Sequence, residues 1–241
     1  MNKIEELRKM IDESNNIVFF GGAGVSTESG IPDFRSDDGL YNQHNKYNYP
    51  PEYLLSRTCF NRDIDEFYRF YKDKMNCLKY KPNITHKYLK ELEDKNKLTC
   101  VITQNIDGLH QKAGSKKVYE LHGTVYKNHC TKCNKEYNAE YVFNSDGVPT
   151  CSCGGVIKPD VVLYEEALPE EAFIASQKAI YNADMLIVAG TSLTVFPASS
   201  LINIFQGKYL VIINRDKTPY DNKANLVFNE SLSSVIEKIK S

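Results

Sequence analysis

The chain has 241 residues, 30 Lys and Arg against 31 Asp and Glu, and 41% hydrophobic residues. That length holds one large core, or a larger domain with a small satellite, and the apolar content is that of a globular chain, which excludes a disordered one. A formal charge of −1 supplies no overall pull toward nucleic acid or anionic membrane, and the longest apolar runs are far too short to span a bilayer. With a charged N-terminus and no secretory signal, the expected location is cytoplasmic.

In chain order, Ile4, Leu7 and Ile11 fall on one face at helical spacing. The apolar run 17–20 then reads as a short buried strand ending in Gly21-Gly22-Ala23-Gly24. A Tyr-rich, Pro-containing stretch at 39–84 carries a helical pattern near 63–79, and another helix is predicted near 85–96. Further strands are expected at 99–102, 185–189, 209–213 and 226–228, with helices near 170–181 and 232–240. Strands alternating with helices predict an α/β fold, a Rossmann-like parallel sheet with helices on both faces. Ligands of such sheets bind at the carboxyl ends of the strands. Residues 39–84 and 124–158 interrupt the alternation. The chain therefore divides into a Rossmann-like domain (1–38, 85–123 and 159–241), a helical insertion (39–84) and a small lobe (124–158).

Four cysteines define that lobe. Cys130 and Cys133, with Cys151 and Cys153, form two short knuckles across a seventeen-residue loop, a spacing suited to tetrahedral Zn2+ in a zinc ribbon. Lys127, Lys132 and Lys135 would offset part of the thiolate charge, and His129 is an alternative ligand. Disulfides are the competing reading, but they persist mainly in oxidising compartments. A metal held by four protein sulfurs has no open position, so the expected zinc is structural. Cys59, Cys77 and Cys100 read as small buried apolar residues.

Three segments carry candidate chemistry. Gly22-Ala23-Gly24 is a glycine turn that would let backbone N–H groups approach a pyrophosphate at a helix start; a third glycine at position 27 is replaced by Thr27, and a simple tight turn is the alternative. A Gly30-Ile31-Pro32 bend behind it would fold Phe34 and Arg35 back over a bound dinucleotide. Gln104-Asn105-Ile106-Asp107 follows the strand 99–102, where Asp107 could hold a carboxamide or merely make an Asx turn or helix N-cap. His122-Gly123, at the junction with the small lobe, suits proton transfer near neutral pH, against a structural role for a lone histidine. His44, His86 and His110 are assigned structural roles.

Together with Gly190-Thr191-Ser192-Leu193 and Asn214, these motifs resemble the sirtuin family over nearly the whole chain, in the family's order and at family-like spacing. The stretch from Thr27 through Asp33 to Ser36, with Gly39-Leu40-Tyr41, looks most like the bacterial and archaeal branch. The resemblance implies an NAD-dependent protein lysine deacetylase that consumes NAD as co-substrate and yields nicotinamide, free lysine and 2′-O-acyl-ADP-ribose. It implies that Gly22, Ala23, Gly24, Thr27, Asp33, Phe34, Arg35 and Gln104 contact the cofactor. Asn105, Ile106 and Asp107 would line the nicotinamide pocket, and Gly190, Thr191, Ser192, Asn214 and Leu232 the adenosine end. His122 would be the general base, with Asn105 and Asp107 also catalytic.

An acetyl-lysine protein or peptide would pair as a strand with Val161, Val162, Leu163 and Tyr164, and with the segment after Leu193. The family commonly has Phe-Gly-Glu where this chain reads Tyr164-Glu165-Glu166, so an added carboxylate predicts a preference for basic flanking residues. Relatives that prefer acidic acyl groups carry Tyr-x-x-Arg where this chain has Tyr68-Arg69-Phe70-Tyr71, so the acyl pocket is expected to be apolar. Two other readings share the motifs: protein ADP-ribosylation, and a non-catalytic NAD-sensing zinc module that grips nucleic acid or protein. The coexistence of Asn105, Asp107 and His122 favours catalysis, without a specific nucleic-acid or membrane partner.

Overall fold

The computed structural model describes residues 2–33 and 47–241. Phe34, Arg35, Ser36, Gly39, Leu40, Tyr41 and His44 lie outside them. Helix α1 (Lys3–Glu13) opens on a capping box: the Asn2 side chain accepts the Glu5 N–H and the Glu5 carboxylate accepts the Asn2 N–H, each at 2.9 Å. Strand β1 (Ile17–Gly21) follows. Instead of the α-helix expected after the glycines, the chain makes two 3₁₀ turns, 23–25 and 27–29, and leaves them at Gly30, whose φ is +90°. The anion-attracting dipole of a full helix is therefore not available there.

The next elements are α2 (Pro51–Leu54), α3 (Arg57–Arg62), α4 (Ile64–Lys74) and α5 (Ile84–Asp94), then β2 (Leu98–Thr103), α6 (Leu109–Lys112) and β3 (Val118–Glu120). Helix α4 stops short of the expected residue 79. The Asn76 side chain accepts the Leu78 N–H, and this local turn competes with further helix. Helix α5 ends in a Schellman motif: Asn96 stands at φ +55°, and the Lys97 and Asn96 N–H groups donate to the Leu92 and Glu93 carbonyls at 2.9 Å.

The small lobe contributes β4 (Gly123–Cys130), β5 (Glu136–Tyr137), α7 (Ala139–Asn144) and β6 (Ile157–Val161), and the chain closes with α8 (Glu170–Asn182), β7 (Met185–Ala189), β8 (Tyr209–Ile213), β9 (Leu226–Phe228) and α9 (Leu232–Lys240). Six strands form one parallel sheet in the order β3-β2-β1-β7-β8-β9, and β5-β4-β6 form a separate antiparallel sheet. Helices clothe the large sheet, as the alternation predicts.

Period-two alternation explains why the large sheet is buried on both sides. Ile17, Phe19, Met185, Ile187, Val211 and Ile213 pack with Leu7, Leu89 and Val235 of α1, α5 and α9. Val18, Phe20, Leu186, Val188 and Ile212 face the other way, onto Ile180 of α8 and Leu201 of a 3₁₀ stretch. A third cluster belongs to the two insertions jointly: Leu54, Phe67, Tyr68 and Tyr71 pack with Val125, Val142, Ile157 and Cys130. Helical insertion and cysteine lobe thus share one core, and the small sheet reaches past 124–158 at both ends, pairing Gly123 with Val161. No helix among the described residues is long and apolar enough to cross a membrane.

Two features generate expectations. Gly123, at φ +73°, would place a Cβ 1.9 Å from the Asp160 carbonyl oxygen, so both its backbone conformation and its lack of side chain are required. Gly123→Ala should lower the free energy of urea unfolding by about 2–4 kcal/mol. His86 and His110 are buried with ring centroids 4.7 Å apart. Burial depresses their pKa values to about 4 and about 3. The unfolded chain takes up these protons first, near pH 6.5. Stability should therefore hold above that pH and fall as pH drops toward the depressed values, and in His110→Phe a smaller fall should appear in urea titrations between pH 7 and 4.

Candidate active site and four-cysteine cluster

The order in which the chain fills the parallel sheet reverses between β1 and β7, and a cleft of about 990 Å³ opens at their carboxyl ends. Its floor is set by contact of backbone on backbone. Gly22 N–H donates to the Ala189 carbonyl at 3.1 Å and Gly24 N–H to the Gly190 carbonyl at 2.8 Å. A Cβ on Gly24 would stand 2.7 Å from Gly190 Cα, and one on Gly190, at φ +60°, 2.6 Å from Val25 N. The glycines serve this close approach as well as exposing N–H groups.

Ala23, Gly24, Thr27 and Asp33 line the cleft beside these glycines. Gln104, Asn105, Ile106 and Asp107 enter from the end of β2. The Gln104 N–H donates to the Gly21 carbonyl at 2.9 Å, and its side-chain amide to the Thr191 hydroxyl at 3.1 Å, so the motif joins the end of β1 to the loop after β7. Asp107 is buried. One carboxylate oxygen accepts the Ser26 hydroxyl at 2.6 Å and the other the Leu109 N–H at 2.9 Å. The Asx turn expected as an alternative role is present, and the carboxylate lines the cleft as well. Burial raises its pKa, against the lowering effect of Ser26 and the Leu109 N–H.

Ser26 also accepts the Asn105 side-chain N–H at 3.1 Å, joining the two motifs. Its only signal in the sequence is a small hydroxyl two residues beyond the glycine turn, which by itself points to no role. His122 stands where β3 gives way to β4. Its Nδ1 lies 2.9 Å from the Gln104 carbonyl oxygen. A carbonyl only accepts, so Nδ1 carries the hydrogen and Nε2 holds the lone pair. Burial lowers the His122 pKa, partly offset by that carbonyl. Gly190, Thr191, Ser192, Asn214 and Leu232 line the far end of the cleft, and Asn214 N–H is tied to the Phe228 carbonyl at 3.0 Å.

Val161, Val162, Leu163 and Tyr164 form another wall. The Val162 N–H donates to the His122 carbonyl at 2.9 Å, and the Tyr164 N–H to the Leu55 carbonyl at 3.0 Å. Two expectations need correction here. Glu165 does not offer a loose carboxylate to the groove, because it accepts from the Thr58 N–H and hydroxyl at 3.0 and 2.7 Å. Glu166 is engaged by Lys158 at 3.1 Å and by the Leu163 N–H at 3.0 Å. The Glu165 carboxylate on which the expected preference for basic flanks rests is thus anchored to Thr58 rather than loose in the groove. Tyr68 and Tyr71 lie in the small-lobe core, where Tyr68 donates to the Ile157 carbonyl and Tyr71 stacks on Phe67 and Phe143. They are not among the residues that line the cleft, so the tetrad 68–71 says nothing about acyl choice.

Away from the cleft, the four sulfurs of Cys130, Cys133, Cys151 and Cys153 lie within 4.8 Å of one another. The Cys130–Cys153 and Cys133–Cys151 sulfur pairs are 3.5 and 3.6 Å apart. That is too long for a disulfide bond and near the roughly 3.8 Å edge of a sulfur tetrahedron with metal–sulfur bonds of about 2.3 Å. Lys132 and Cys133 N–H groups point at the Cys130 sulfur. The Cys153 N–H and the Tyr137 hydroxyl lower the Cys151 thiol to about 5, whereas neighbouring sulfurs raise Cys153. Four thiol sulfurs gathered at this spacing form a donor set that suits a soft divalent cation. His129 is not part of it: its Nδ1 is 2.8 Å from Asp160 and its Nε2 3.7 Å from Glu136.

Comparison with known proteins agrees with this architecture. A model of the Sir2 family matches residues 22–197. An NAD-dependent protein deacetylase of Clostridium acetobutylicum is 52% identical, covering 99% of this chain and 98% of its own. One of Cutibacterium acnes is 46% identical, covering 98% and 97%. Among solved structures, a Sir2 variant with deacetylated p53 peptide and 3′-O-acetyl-ADP-ribose superposes with a TM-score of 0.91 at 38% identity, covering 99% of this chain and 97% of that one. A Sir2 with p53 peptide and NAD+ gives 0.86 at 40%, covering 99% and 96%. The sheet with its switch-point cleft, the cysteine tetrad and the full-length similarity agree: the chain belongs to the Sir2 family.

Proposed function

We propose that the chain is an NAD-dependent protein lysine deacetylase, with His122 as its general base. The observation that carries the assignment of the base is the His122–Gln104 hydrogen bond, which fixes the tautomer. NAD, when bound, supplies an electrophilic ribose carbon that accepts the acyl oxygen as nicotinamide departs. The chain's residues bind and orient. The glycine turn and Thr27 would hold the pyrophosphate with backbone N–H groups, and Asn105, Ile106 and Asp107 would hold the carboxamide. Thr191, Ser192, Asn214 and Leu232 would take the adenosine end. Phe34 and Arg35, outside the described residues, keep the roles the resemblance gives them.

Asp107 is aimed by Ser26, so its free lone pairs can accept from a carboxamide N–H. His122 Nε2 would take a proton from a ribose hydroxyl, which raises the nucleophilicity of that oxygen without an activated serine or cysteine. A buried imidazole with a lowered pKa is neutral at pH 7, as a base must be. An acetyl-lysine peptide would enter beside 161–164, pairing with the backbone groups that the bonds to His122 and Leu55 leave available. Zn2+ on Cys130, Cys133, Cys151 and Cys153 would brace the small lobe and leave no position for substrate. The reading places the enzyme in the cytoplasm.

The test is incubation with NAD and an acetyl-lysine peptide, following nicotinamide and 2′-O-acetyl-ADP-ribose by mass spectrometry. Absence of a peptide-dependent product would sink this reading, and an ADP-ribosyl label transferred to protein would favour ADP-ribosylation instead. His122→Ala should lower kcat by roughly 10²- to 10⁴-fold while NAD binding persists. The wild-type kcat/KM should be flat at neutral pH and fall on the acid side below pH 6.5, where His122 becomes protonated. Elemental analysis should find zinc, and a chelator should unfold the small lobe before activity disappears; immediate inactivation with the lobe intact would contradict a structural metal.

A further inference from the structure

We propose that Glu165 is a positioning residue for the acyl-lysine peptide: its carboxylate ties the cleft wall at 161–164 to the first turn of α3. The inference rests on the deacetylase reading and deepens it. Glu165 stands at φ +74°, in the left-handed region that a residue with a Cβ occupies only when its surroundings hold it there. What holds it is Thr58, whose N–H and hydroxyl both donate to the same carboxylate oxygen, at 3.0 and 2.7 Å.

The bond belongs to a larger arrangement. The first N–H groups of a helix have no partner inside it. In α3 these are Arg57, Thr58 and Cys59. Arg57 N–H donates to the Tyr164 carbonyl at 3.0 Å, Thr58 N–H to Glu165, and Cys59 N–H to the Ser56 hydroxyl at 3.0 Å. Two of the three acceptors come from the segment that walls the cleft. That segment also pairs Tyr164 with Ser56 in a parallel bridge, and at its other end Val162 N–H donates to the carbonyl of His122 itself. The wall is thus strung between the base and α3.

A glycine at 165, common in the family, would adopt the same φ freely but leave the Thr58 N–H without this acceptor, so that only the backbone bonds of Tyr164 would hold the wall at its α3 end. The two Thr58 donors hold one carboxylate oxygen, so the proposed role of Glu165 is geometric and is filled equally by an amide oxygen that accepts from the same donors.

Steady-state kinetics with acetyl-lysine peptides bearing acidic or basic flanks test the proposal. Glu165→Gly removes backbone strain and tether together, so the variant should fold, with a peptide KM raised roughly three- to tenfold and kcat and the KM for NAD unchanged. Glu165→Gln, whose amide oxygen still accepts, should keep the wild-type peptide KM. An unchanged peptide KM in Glu165→Gly would overturn the proposal. So would a loss in Glu165→Gln confined to peptides with basic flanks, which would make Glu165 a charge receptor. Inactivity of the wild type would sink the deacetylase reading instead. Amide hydrogen exchange then still tests the tether, because Thr58 and Tyr164 should exchange faster in Glu165→Gly than in wild type or Glu165→Gln. Equal rates would remove it.

Discussion

The close approach of two loops at the switch point of the sheet is the constraint on which the rest depends. β1 and β7 are neighbours, yet the chain leaves them toward opposite halves of the sheet, so a crevice must open at their carboxyl ends. Gly24 and Gly190 meet there with backbone against backbone, at a distance no Cβ tolerates. That contact sets the depth of the cleft. It also fixes the loop after β1, so that Ser26 can reach Asp107 and Asn105 across 81 and 79 residues of sequence.

From that floor the site is assembled by hydrogen bonds that each do two things. Gln104 joins the end of β1 to the loop after β7 through its N–H and its side chain, and its carbonyl sets the tautomer of His122. Asp107 ends a turn at the start of α6 and faces the cleft with a carboxylate that Ser26 steadies. Gln104 and Asp107 both hold local structure and line the cleft, which is why the choice between an Asx turn and a cleft-facing carboxylate could not be made from the residue type alone.

The small lobe answers a different need. Its antiparallel sheet has too few residues to enclose a core by itself. It borrows aromatic side chains from the helical insertion, packing Phe67, Tyr68 and Tyr71 against Val125, Val142 and Ile157, and gathers four sulfurs at its tip. Gly123 and β6 join this lobe to the large sheet within a few residues of His122, so whatever stabilises the lobe also holds the second wall of the cleft.

Much of this was legible in the chain. Buried strands of the parallel sheet are continuous apolar runs, and α5, α8 and α9 have amphipathic spacing, so local pattern determined the α/β class and the strand ends where ligands should lie. The cysteine spacing determined a four-sulfur cluster, because two short knuckles can converge without long-range help. Other elements had no such signal. β3 and β6 are short, all of β3, β4 and β6 are partly polar, and cross-strand bonds define them where side-chain periodicity does not. The 3₁₀ turns after β1 depend on the loop of β7 pressing against them. Only the tertiary structure decided that Ser26 joins the site, that Tyr68 and Tyr71 turn inward, and that Glu165 bonds to Thr58. Each of these follows from which distant segment lies alongside, and that is a property of the assembled layers rather than of any stretch of sequence.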